Sequence, residues 1–88
     1  MSISLREQAN AVQTREDFIT WVYALVNDLN EHPERWENNS IALYLAAAAR
    51  WIADSHGYYL NTGQAGPTST HLTWKHLADI LMAARYYE

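Results

Sequence analysis

The sequence has no cysteine, two prolines, three glycines, and six basic side chains against ten acidic ones. Without cysteine no disulfide framework can form, so 88 residues must be held by core packing, a metal or a partner subunit. So little glycine and proline excludes a collagen-like or low-complexity chain. The cations Arg6, Arg15, Arg35, Arg50, Lys75 and Arg85 are dispersed, and the net charge is −4. A nucleic-acid surface needs clustered cations to neutralise phosphates, so no nucleic-acid partner is expected. The longest mostly apolar run, Ile41 to Ala49, is too short to span a bilayer, and no membrane partner is expected. The first ten residues lack a basic region followed by an apolar stretch and do not read as a signal peptide. A cysteine-free chain fits a reducing compartment, and the expected location is cytoplasmic. In that setting the glycosylation pattern Asn38-Asn39-Ser40 is read as chance.

What is abundant is aromatic: four Trp, six Tyr and one Phe. A chain this short buries only somewhat over ~60% of its unfolded surface. Aromatics that bury roughly 150–250 Å² each compensate for that. Most of them are therefore read as structural before any is read as functional.

From Phe18 onward apolar residues recur at helical spacing. Phe18, Val22, Leu25, Val26 and Leu29 form one stripe, with Ile19 and Trp21 widening it. Thr14 with Asp17 three residues on resembles a capping box, and Pro33 ends the segment. This predicts a helix over about 15–31, with an optional short helix before it from Leu5 to Val12. Pro33 to Glu37 reads as one helical turn or a tight connection. Asn38, Asn39 and Ser40 are three consecutive N-cap candidates. The next stripe is Ile41, Tyr44, Leu45, Ala48, Trp51 and Ile52, and the alanines 46–49 combine high helix propensity with room for another helix to approach. Gly57 could stop this helix, but the favoured reading runs on to about residue 60. After a loop from Asn61 to Ser69, Thr70 or Thr73 caps a last helix over about 71–87, with Trp74, Leu77, Ala78, Leu81 and Ala84 as its stripe. No segment alternates with period two. The predicted fold is one all-α, bundle-like domain of three helices, or four with the short N-terminal one, in which the last helix is part of the core.

The segments Trp36-Glu37-Asn38-Asn39-Ser40-Ile41, Tyr44-Leu45, Gly57-Tyr58-Tyr59, Asn61-Thr62-Gly63, Trp74-Lys75 and Tyr87-Glu88 carry a resemblance. Over about Phe18 to Glu88 the chain resembles a family of small uncharacterised bacterial proteins. In that family a W-E-N-x-[ST]-[LI] segment opens a helix and an S/T-W-K helix ends in Y-E. The resemblance implies a complete protein or domain rather than a fragment, and it implies no activity.

Signals for chemistry are weak. Asp28 and His32 at i, i+4, and His76 and Asp79 at i, i+3, could each be half a metal site; a solvated histidine beside an acid on a helix surface is the favoured reading of both. No metal and no cofactor are expected. No serine sits in a glycine-flanked elbow, and Gly63-Gln64-Ala65-Gly66 lacks the ending of a phosphate loop. No residue is named catalytic.

Two functional readings remain. The first is a non-enzymatic protein-interaction module, comparable to immunity or inhibitor proteins by size and charge alone. Its surface would comprise Trp36, Glu37, Asn38, Tyr58, Asn61 and Tyr86. In the competing structural reading, Trp36 packs over the start of the second main helix while Asn38 or Asn39 caps it. The second functional reading is a small-molecule domain or minor enzyme. Its pocket would be lined by Trp51, Trp74, Tyr44 and Tyr59, with His56 or Asp54 at the mouth. A homodimer, which would help so small a core, is also left open.

Overall fold

The computed structural model describes residues 3–88. Four α-helices follow one another: α1 (Leu5–Asn10), α2 (Arg15–Glu31), α3 (Ile41–Thr62) and α4 (Trp74–Ala84), with a 3-10 turn at Pro33–Arg35 between α2 and α3. Among the described residues there is no strand. No helix of the described residues is long and apolar enough to cross a membrane.

Each helix starts on a side-chain cap. Ser4 and Glu7 form a capping box on α1. Thr14 Oγ1 accepts from the Asp17 amide, and Asp17, a methylene shorter than glutamate, reaches the Gln13 amide instead of the cap's own. At the start of α3 the cap is Ser40 rather than either asparagine. Helix α3 passes through Gly57 and stops at Gly63, whose φ of +67° is the left-handed geometry glycine adopts at little cost. The predicted start of α4 at residue 71 is corrected to Trp74. Thr73 caps the helix, and His76 completes a capping box by accepting from the Thr73 amide. The C-terminal bound moves from 87 back to Ala84.

Helix α4 is the axis of the molecule and packs against α1, α2 and α3. It is therefore buried on more sides than an amphipathic stripe describes. His76, Ala78, Asp79, Met82, Ala83 and Ala84 are all buried, while Trp74, expected in the stripe, stays partly exposed against Phe18. The main core joins Ala9, Val12, Trp21, Leu25, Trp36, Ala78 and Met82. A second cluster joins Trp51, Tyr59 and Ala83.

Helices α2 and α3 both lean on α4, and their backbones stay more than 8 Å (Cα–Cα) apart. That gap overturns half of the stripe predicted for α3. Trp51 is buried and Tyr44 half-buried, but Ile41, Leu45 and Ile52 remain open to solvent because nothing lies over them.

Candidate functional site

The segment between the 3-10 turn and α3 is a lock on the end of α4. A helix leaves its last four carbonyls without intrahelical partners. Asn38 Nδ2 donates to the carbonyls of Ala84 and Tyr87, both at 3.0 Å, and its backbone N–H donates to Arg85 O at 2.9 Å. The Tyr44 hydroxyl donates to Leu81 O at 2.6 Å, and Arg85 Nε donates to Met82 O. Burial pushes the Tyr44 phenol up to about 12, against the pull of the nearby Arg85 charge.

Trp36 sits beneath this lock. Its indole N–H donates to Asp28 Oδ2 at 2.8 Å, and Arg85 Nη1 donates to the same oxygen. Its ring stacks on Tyr44 with centroids 5.6 Å apart. Trp36 and Asn38 are thus buried, and their assignment to an exposed recognition surface is corrected. For Asn38 the cause is the demand of the carbonyls at the end of α4 for donors; Trp36 is held by its bond to Asp28 and its stack on Tyr44. Glu37 and Asn39 between and beside them are exposed. Glu37 lies against Glu88, and their shared hydrogen bond, then their like charge, raises the Glu37 carboxyl above its ordinary value.

Of the other predicted surface residues, Tyr58 is half-buried against Trp51 and Tyr59, whereas Asn61 and Tyr86 are exposed. Tyr86 lies under the Arg85 guanidinium. The Tyr87 hydroxyl donates to Asp54 at 2.6 Å, and that bond is the main cause raising its pKa.

The aromatic pocket is not assembled. Trp51 and Tyr59 pack edge to face, Tyr44 is taken by Trp36, and Trp74 lies against Phe18. His56 and Asp54 are exposed on α3.

The groups of both predicted half metal sites have other partners. Asp28 serves Trp36 and Arg85, while His32 Nδ1 lies 3.5 Å from Glu34. His76 Nδ1 accepts from the Thr73 amide, which leaves Nε2 to carry the proton toward Ala65 O at 2.9 Å. Asp79 is wholly buried. Arg6 reaches one of its oxygens at 3.0 Å; Lys75 at 2.9 Å and the Tyr59 hydroxyl at 2.8 Å reach the other. Burial, and then the Asp79 bond and charge, hold the Tyr59 phenol above the ordinary tyrosine value. Among the described residues no three acidic or histidine side chains are arranged to hold a metal. Among the described residues every buried side-chain nitrogen or oxygen has a partner. These groups are spent on stability.

Two open concavities are found among the described residues, one of about 340 Å³ between α1 and α2 with a more polar lining and a more apolar groove of about 300 Å³ between α2 and α3. Val22, Val26 and Leu29 of α2 form one wall, and Ile41 and Leu45 of α3 form the other. Leu81 of α4 and Tyr44 lie at its base, and Asn38 to Ser40 close one end. Sequence reading assigned these aliphatics to the core by their period. Two helices that both rest on a third with their backbones held apart leave such a trough, and periodicity within one helix does not show it.

A model of a family of unknown function (DUF7660) matches residues 14–88. The chain belongs to this family. The match begins at Thr14, the N-cap of α2, so α1 precedes the family region. Even so, Arg6 reaches Asp79, and Leu5 O accepts from the Trp21 indole. No curated protein and no solved structure matches the chain. The W-E-N-x-S-I and Y-E segments that carried the resemblance meet in this fold at one place, the C-terminal end of α4.

Proposed function

We propose that this protein is a non-enzymatic protein-interaction module whose binding face is the groove between α2 and α3. The observation that carries the reading is the groove itself, a concave surface whose walls are aliphatic and open to solvent. Exposed apolar concavities of this kind mark interaction sites, and an apolar side chain of a partner would displace water from this one. A small ligand would also need convergent polar groups to orient it. The nearest ones are already used: the Asn38 amide serves the α4 carbonyls and Ser40 Oγ caps α3. A net charge of −4 suits a basic partner. The comparison with immunity or inhibitor proteins rests on size and charge, and a bacterial, cytoplasmic setting belongs to the same reading.

The test is affinity capture from native lysate with the tagged wild type, Val26→Glu and His71→Ala side by side, quantified by mass spectrometry. A stoichiometric partner held by wild type and His71→Ala but released by Val26→Glu is expected. A partner that Val26→Glu retains, or no partner at all, contradicts the reading.

A further inference from the structure

Helix α3 is apolar on its solvent side as well as toward the core. Ile41 is 80% exposed, Leu45 62%, Ile52 51% and Leu60 67%. A helix that is apolar all round belongs in an interior. Turning 100° per residue, Ala42, Ala46, Ala49, Ala53, His56 and Leu60 fall in one line along the outer face, and all are exposed. Their steps of four and three are the seam spacing of paired helices. Alanine at four of the six positions lets a second backbone approach closely. Leu45 and Ile52 flank the seam on one side, Leu43 and Arg50 on the other.

We propose that α3 pairs antiparallel with α3 of a second copy of this chain, about a two-fold axis near residue 51. Three features favour a second copy as the occupant. First, the seam is self-complementary. Reversal about residue 51 seats Leu60 over Ala42 of the partner and His56 over its Ala46, long against short, with Ala49 against Ala53. Second, the charges agree. The outer face carries one basic and one acidic side chain, Arg50 and Asp54. In a two-fold antiparallel pair each edge meets itself, so Arg50 of one copy lies beside Asp54 of the other. Between two chains of net charge −4, an interface without unpaired acids avoids the repulsion that most of the surface would impose. Third, the seam is long enough: helix α3 is 22 residues long, about 33 Å. Leu45 flanks the seam and also lines the α2–α3 groove, so the two surfaces adjoin.

Light scattering on the purified chain over a range of concentrations tests this. The expected mass is twice the 10.1 kDa of the chain. Ala49→Glu, at an exposed position, is expected to give the single-chain mass with helical circular dichroism and a cooperative melt retained. Val26→Glu, in the groove, is expected to leave the double mass unchanged, so failure of the pairing and failure of the groove reading are separable. Because the chain has no cysteine, introduced thiols report the orientation. Ile52→Cys, beside the axis, should form a disulfide-linked pair, and Leu60→Cys, at opposite ends of an antiparallel pair, should not. A monomer at every concentration overturns the proposal and leaves a foreign helix as the occupant of this face. Equal cross-linking of both thiols overturns the antiparallel arrangement.

Discussion

The Asn38 side chain holds the carbonyls of Ala84 and Tyr87, each at 3.0 Å, and so joins the start of α3 to the end of α4 across 46 and 49 residues of sequence. Asn38→Ala removes two buried bonds and leaves carbonyls unpaired. It should cost about 2–3 kcal/mol of stability. Asn39→Ala, at an exposed neighbour, should be near neutral, and Ser40→Ala should cost about 1 kcal/mol through the lost cap. Urea midpoints of the three variants check the order. Equal effects of the two asparagines would contradict it.

Asp79 is a buried charge with three donors. Asp79→Ala should cost about 3–5 kcal/mol, because it breaks a buried pair and orphans the Tyr59 hydroxyl. Arg6→Ala should cost only about 1 kcal/mol, since Arg6 is part-exposed and Lys75 remains on the carboxylate. Guanidinium unfolding of both variants tests the asymmetry.

Two glycines should respond in opposite directions. A Cβ at Gly57 meets nothing within 4 Å, so Gly57→Ala within α3 should stabilise by about 0.5–1 kcal/mol. A Cβ at Gly66 would lie 2.7 Å from Tyr59 Cδ2, in a ring fixed by its bond to Asp79, so Gly66→Ala should destabilise by about 1–3 kcal/mol. Thermal melts read both signs.

Alkali should unfold the protein through its buried phenols. The Tyr44 pKa is raised to about 12 in the folded chain, and Tyr59 is raised also. The unfolded chain releases these protons near pH ~10. The stability that Tyr44 contributes is complete below that pH and is lost as pH rises through about 12, and that of Tyr59 is likewise lost with rising pH. Denaturant midpoints between about pH 8 and 12 should fall, and less steeply in Tyr44→Phe.

Helix identity was legible in the sequence because propensity, capping and period agree over residues 15–31 and 41–60. The burial of aromatics such as Trp21, Trp51 and Tyr59 followed from chain length. The role of Asn38 was not legible, since its bonds run to carbonyls far along the chain and three N-cap candidates in a row look alike locally. Asp79 and His76 looked like a surface pair because α4 was read as one-sided, whereas three helices surround it. The groove was hidden for the related reason that Val26, Ile41 and Leu45 carry a core-like period that no partner helix covers.

Hydrogen exchange on the complex recovered by affinity capture tests the central claim most directly, because it reads where the partner sits. Slowed exchange over residues 22–29 and 38–45, with the 64–73 loop unchanged, is the predicted result. Protection confined to that loop or to α1, with the α2 and α3 walls exchanging as in the free protein, would contradict the account.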